Sequence, residues 1–333
     1  MAKLSQSNQA PRLLGMIKAI PDEKQMQGRK ERANTMRVIS NYLQIALRIL
    51  WRHKLMMNTI RFSILASLLS ISLLALAVAV SAEAPVEYQV HFTAEDMAID
   101  GRANEKSWSL APLIKMVDRA YPSGKTLSPS ITTVQALWSE QGLLVLFLCK
   151  DEDILATFTE RDNRGFYKDD DVELFLDPDM DGTSYVQLAI NALNTKMDVL
   201  RREPQWTDGG MPAFYDWDSG TESAVVVSGS LEDRTDRDES WTVELLFPWS
   251  SMSQATLNVL VSEGYGIDVL GGRSIPPKMG DKWKANLIRF DHGDKEGAGV
   301  LSTWSPFPDG DGAFISNNCV HYSTYWGVLV FVE

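Results

Sequence analysis

Between residues 167 and 191 the chain gathers groups of three chemical kinds. Asp177, Asp179, Asp181 and Gly182 spell D-x-D-x-D-G, an all-oxygen donor set that suits Ca²⁺. Loop position 12 is Leu188 rather than an acid, and no helical pattern flanks the loop, so an EF-hand is excluded. A calcium ion held in a hairpin loop and a solvated Asp-rich turn are the two readings left. Asp151 with Asp153, or Asp169 to Asp171, offers comparable oxygens, although charge runs of this type usually face solvent and the triplet is expected at the surface. The second kind is a pair of carboxyl groups either side of a glycosidic bond. Glu173, Asp170, Glu244 and Asp291 are all available for that, and none is singled out. No G-x-S-x-G, phosphate-binding glycine loop or H-E-x-x-H accompanies them, so intrinsic catalysis is not expected. Zinc is not expected either, because His91, His292 and His321 stand in no Cys/His spacing.

The third kind is a sugar-binding face. It needs an aromatic ring against the apolar side of a pyranose, and carboxylates, amides and Arg for the hydroxyls. Trp108, Trp138, Trp241 and Trp326 lie in strand-like contexts and read as core, whereas Trp206 and Trp217, in "REPQWTDGGMPAFYDWDSG", read as more exposed. Trp283, Asn286 and Arg289 in "DKWKANLIRF" either line a cleft or form a buried network. A haem-binding electron-transfer sandwich is the rival from another class, with His321 or His292 and a methionine such as Met211 or Met279 as ligands.

The elements that position these groups are short strands. "VQALW" and "LLVLFLCK" predict a hairpin over residues 139–142. "VELFLD" and "YVQLAIN" predict a second, with "PDMDGTS" as its turn, and "SAVVVSG", "SWTVELLFPW", "KANLIRF" and "WGVLVFV" predict further strands. "WSSMSQATLN" reads as a helical turn. Many short strands at this spacing predict an all-β, antiparallel β-sandwich over residues 85–333 without an internal boundary. Alternation puts Val172, Leu174 and Leu176 on one face and Glu173, Phe175 and Asp177 on the other. In the partner strand Val186, Leu188 and Ile190 oppose Tyr185, Gln187, Ala189 and Asn191. One side is then core. The other mixes carboxylate, amide and aromatic groups, as a sugar-binding face or a solvated surface would.

In order along the chain, "IDGRANEKSWSLAP", "ALWSEQGLLVLFLCKDEDI", "RDN…YKDDDVELFLDP…YVQLAINALNTKMDV", "SWTVELLFPWSSM", "GDKWKANLIRF", "WSP" and "YWGVLVF" resemble the family 9 carbohydrate-binding modules. The resemblance spans nearly all of residues 90–333. It implies an immunoglobulin-like or jelly-roll sandwich that binds poly- or oligosaccharide, requires no cofactor and carries calcium in some members. It also implies glycoside hydrolases as partners in carbohydrate catabolism. In such modules a sugar ring lies between two tryptophans beside a glutamate. Glu173 takes the place of that glutamate, and Tyr167 falls where the first tryptophan would stand. Val320 matches the second, with His321 and Tyr322 alongside, so the aromatic clamp differs from the family pattern.

Charge divides the chain. Residues 1–61 carry twelve Lys/Arg against Asp22, Glu23 and Glu31, and the remainder outweighs that excess so far that the whole chain is −12. A domain so acidic repels phosphate backbones, which excludes nucleic acid as a partner. Between the halves, residues 62–82 hold no charge, and Ser81-Ala82-Glu83-Ala84 spans the end of that run. Residues 58–84 therefore read as a signal peptide cleaved after Ala82 or Ala84, or as an uncleaved anchor. Both readings export the acidic half. Met56 and Met57 stand where a secretory protein would begin, so residues 1–57 read as a basic extension upstream of the true start, with an amphipathic helix over 40–55. Cys149 and Cys319 both lie in the exported part, where they either pair as a disulfide or leave Cys149 as a buried thiol.

Overall fold

The computed structural model describes residues 36–45, 85–120, 131–202, 213–231, 233, 235–253, 258, 267–292, 300–305 and 319–333. The chain divides into two compact units, Met1–Ala84 and Pro85–Glu333. In the first, residues 36–45 are helical, overlapping the start of the expected basic helix. The apolar stretch 62–82 lies outside the described residues. Among the described residues no helix is long and apolar enough to cross a membrane.

The second unit is all-β. The hairpin of β4 (Thr132–Trp138) and β5 (Gly142–Lys150) forms as its turn signals predict, as does that of β6 (Asp171–Asp177) and β7 (Ser184–Asn191). The other expected strands are present as β10 (Glu222–Ser228), β11 (Ser240–Pro248), β12 (Lys282–Asp291) and β14 (Gly327–Val332). The pattern did not announce β1 (Glu87–Phe92), β2 (Ile114–Lys115), β3 (Val117–Ala120), β8 (Lys196–Arg202), β9 (Ala213–Phe214) or β13 (Val300–Thr303). Pro248 ends β11, and Trp249–Met252 continues as a single 3-10 turn.

Hydrogen bonds join the strands into one curled sheet in the order β10-β11-β5-β4-β1-β14-β12-β6-β7-β8-β9, with β13 on β12 and β2 on β4. Pairing is antiparallel except at β1, which runs parallel to both β14 and β4. That strand joins two arms. Inward residues of β5 and β11 (Val145, Phe147, Val243, Leu245) and of β6, β7 and β12 (Leu174, Leu176, Leu188, Leu287) share one core. At the join, Trp283 meets Trp249 edge-on at 5.6 Å and Phe331 at 4.9 Å. The sandwich fold is therefore the expected one, made from a single sheet folded over.

Several expectations are corrected by the direction in which side chains point. Trp283 and Arg289 share the inward face of β12 with Ala285 and Leu287, so neither lines an outer cleft. Arg289 is a tie between the arms. It donates from Nη1 to Thr132 Oγ1 at 3.0 Å and to Lys150 O at 2.9 Å. From Nη2 it pairs with Asp151 at 2.7 Å and Asp291 at 3.1 Å. Trp217 is buried in the main core rather than exposed, while Trp206 lies outside the described residues. Cys149 is a free thiol whose side chain points into that core, so the disulfide alternative gives way to the buried thiol; the side chain of Cys319 lies outside the described residues. Burial pushes the Cys149 thiol up to about 12, which leaves it protonated and inert.

Candidate functional site

The burial pattern of β6 and β7 departs from a simple half-buried sheet, because both strands are buried at every position. Their outward side chains lie under a second cover, and that covered face holds the candidate site. Glu173 on β6, Gln187 on β7 and Arg201 on β8 run diagonally across three neighbouring strands. Gln187 Nε2 donates to Glu173 Oε2 at 3.1 Å, and Arg201 Nε donates to Gln187 Oε1. Arg201 Nη2 reaches Tyr215 Oη at 3.4 Å, and the Tyr215 ring lies under Arg164 at 4.8 Å. Across β6 on its other side, Asn286 of β12 pairs in register with Phe175. Asn286 is fully buried, and neither atom of its amide has a partner.

Burial raises the Glu173 carboxyl to about 7, against the lowering pull of Arg201 and the Gln187 hydrogen bond. It therefore exchanges a proton near neutrality. The cover includes the 3-10 turns Cys319–His321 and Ser323–Tyr325. His321 stacks on Phe175 at 5.1 Å between centroids, and its Nδ1 lies 2.7 Å from Tyr185 Oη. Trp326 packs edge-on against Phe175 and Tyr185 at 5.4 and 5.0 Å. Burial, with Arg201 nearby, keeps His321 neutral by pushing its pKa well below the usual imidazole range. The arrangement offers a buried acceptor, an amide, a guanidinium and stacked rings on one face. Those are the groups that bind polyhydroxylated rings.

The model of the carbohydrate family 9 binding domain-like family matches residues 99–270, more than half of the chain. The chain belongs to that family. No curated protein matches the family 9 chain in sequence. Among solved structures, a candidate carbohydrate-binding protein from Bacteroides uniformis ATCC 8492 superposes with a TM-score of 0.52 at 15% identity, covering 74% of this chain and 100% of that one. That likeness shows the fold. A family 9 module from Caldicellulosiruptor kristjanssonii in complex with cellotriose gives 0.46 at 13% identity, covering 74% and 94%. The complex with glucose gives 0.44 at 12%, covering 73% and 95%.

Of the expected site residues in this family 9 chain, Glu173, Asn286, His321 and Tyr322 come to one face, the last packing at the edge of the Phe175 cluster. Val320, at the place of the second clamp residue, is buried in the same cluster. Tyr167 is exposed in the turn before β6, where its carbonyl lies 2.8 Å from His292 Nε2. Among the described residues no hydrogen bond or ring contact joins Tyr167 to Glu173. Asn191 is a turn-holder rather than a free amide. Its Oδ1 accepts from the N–H groups of Leu193 and Thr195, and its Nδ2 donates to Phe158 O and Asp169. Arg201 went unread because β8 went unread. The signal that would have found it is the outward alternation of Met197, Val199 and Arg201 opposite β7.

The acidic stretch divides into three parts. The triplet Asp169–Asp171 is fully buried, not solvated as expected. Asp169 accepts from Thr157 Oγ1, Phe158 N and Asn191 Nδ2, while Asp170 accepts from Leu155 N and His292 N, so these two carboxylates organise loops. Asp171 is buried among Glu173, Asp169 and Asp170, which raises its carboxyl well above the usual range against the weaker lowering pull of the Phe290 backbone. Of the four acids considered for catalysis, Asp170 and Asp291 group with Asp151 beside Arg289. Glu244 belongs to the other arm and is saturated by three donors, Trp108 Nε1, Asp100 N and Gly101 N. The four thus stand in three separate settings, and none faces Glu173 as a catalytic pair.

In the β6–β7 turn, Asp177, Asp179 and Asp181 each bring a carboxylate oxygen within 4.8 Å of the others. Asp177 is buried with Oδ1 unpartnered, and burial beside Asp179 pushes its carboxyl up to about 8. Such a donor set, three carboxyl groups with one buried orphan oxygen, fits a hard divalent cation. For the haem alternative, His321 Nδ1 and His292 Nε2 are already hydrogen-bonded, Met279 is exposed, and Met211 lies outside the described residues.

Proposed function

We propose that this protein is an exported, non-catalytic module that recognises poly- or oligosaccharide through the outward face of β6, β7, β8 and β12, beside glycoside hydrolases that degrade the same material. The observation that carries the reading is the Glu173–Gln187–Arg201 diagonal beside a fully buried, unpartnered Asn286. A saccharide hydroxyl both donates and accepts, so it can serve the carboxylate and the amide together. Family membership supports the same class of ligand. Cellotriose and glucose, bound by the Caldicellulosiruptor kristjanssonii module, are the first probes to use. Export is supported by the basic residues ahead of an uncharged stretch over 62–82 and the small residues that follow it.

A calcium ion on Asp177, Asp179 and Asp181 belongs to this reading, favoured by the orphaned Asp177 oxygen. It would brace the turn that fixes the register of β6, the strand carrying Glu173. The direct test is a glycan-array screen of the protein with and without chelator. The reading predicts hits that Glu173→Ala and Arg201→Ala abolish. Hits retained by both variants would contradict it.

A further inference from the structure

Asn286 is a fully buried amide with no hydrogen-bond partner among the described residues, and a native fold that keeps such a group calls for a reason. What lies beside it supplies that reason. Register sets Asn286 directly opposite Phe175, and the Phe175 ring is covered by His321 at 5.1 Å with the planes 22° apart. His321 is only half-buried and sits on a one-turn 3-10 segment, bonded to the sheet through Tyr185 Oη. A flat ring over Phe175, two positions along the strand from Glu173 (about 7 Å), takes the place that the apolar face of a pyranose would take. The imidazole offers no group that satisfies the Asn286 amide.

We propose that His321 is an internal occupant of the saccharide site, which a sugar displaces to stack on Phe175 and bond Asn286. The proposal rests on the carbohydrate reading and adds to it Phe175 as the stacking platform and His321 as the competitor that sets affinity. In the free protein the binding-competent state is a minor one, so the apparent affinity is reduced by its population. Removing the imidazole removes that competition. Trp326, edge-on to Phe175 at 5.4 Å, reports the exchange.

The test is calorimetric titration of cellotriose and of glucose into the full chain, its His321→Ala and His321→Gln variants, and Asn286→Ala. His321→Gln keeps a side chain able to bond Tyr185 Oη but has no ring to stack, so it stands in where His321→Ala fails to fold. The expected result is at least a fivefold lower Kd for the His321 variants and at least a tenfold higher Kd for Asn286→Ala. Trp326 emission is expected to shift when the unmodified protein is saturated, and Trp326→Phe identifies that signal. Equal Kd values for the unmodified protein and both His321 variants overturn His321 as occupant while the saccharide site stands. Binding of neither sugar, together with no hit for any of these proteins on the glycan array, overturns the carbohydrate reading along with it.

Discussion

Glu244 and Glu173 are both glutamates on outward faces of the sheet, one on each arm, and both are covered. Around Glu244 the cover is complete. Trp108 Nε1, Asp100 N and Gly101 N all donate to it, and Gly101 fits there because a Cβ would lie 3.0 Å from Val226 and 3.2 Å from Ala224 O. Around Glu173 the cover is different: Gln187 donates to it and Arg201 lies close by, while among the described residues the amide of Asn286 on the neighbouring strand has no partner. A buried carboxylate with all its partners inside the chain is a latch. One beside unmet donors and acceptors is a candidate site, because a ligand can supply what the fold does not.

The contrast predicts that substitutions among groups that tie the chain to itself cost stability and leave binding intact. The largest effect belongs to Arg289, whose loss strands Asp151 and Asp291 beside the core. Arg289→Ala should lower unfolding free energy by about 3–5 kcal/mol in a denaturant titration. Glu244→Ala should cost about 3 kcal/mol, since three N–H donors are left without their acceptor, while saccharide affinity stays unchanged. If Glu244→Ala is harmless to stability, the latch description fails.

On the other arm, substitution should act through pH. Burial raises Glu173 to about 7 from an ordinary 4.5. A carboxyl raised in this way favours the fold below pH 4.5, and that contribution is lost as pH rises through about 7. Glu173→Gln has no charge to bury. It should therefore be more stable than the unmodified protein at pH 8, by up to about 3 kcal/mol, and no more stable at pH 4. Thermal melts at the two pH values decide this. The smallest effect is that of calcium. At ten times its dissociation constant it should add about 1.4 kcal/mol, reversed by chelator and absent in Asp177→Asn. A melting temperature indifferent to calcium would contradict the ion and leave Asp177, Asp179 and Asp181 as turn-forming residues alone.

Much of the architecture was legible because period-two patterning survives wherever a strand has one core face. β6 and β7 were found with their turn, and alternation placed Glu173 and Phe175 together. β8 was missed because Lys196, Asp198, Arg201 and Arg202 break the apolar rhythm, and Arg201 was lost with it. The site residues that failed did so for a different reason. Arg289 continues the inward row of Trp283, Ala285 and Leu287, but its partners Thr132 and Asp151 stand far away in sequence. Local pattern cannot show that a charge is to be neutralised from another arm. The Asp169–Asp171 triplet looked solvated for the same reason, since the loop N–H groups that bury it come from Leu155, Phe158 and His292.

The central claim is that the Glu173–Gln187–Arg201 face binds saccharide. Its most direct test is calorimetric titration of an array-identified oligosaccharide into the unmodified protein, Glu173→Ala and Arg201→Ala, each first checked for an unaltered fold by near-UV circular dichroism. The predicted result is a saturable isotherm for the unmodified protein, weakened in each variant by about 10- to 100-fold, as loss of a hydrogen bond to a charged group implies. Undiminished affinity in both variants would contradict the account.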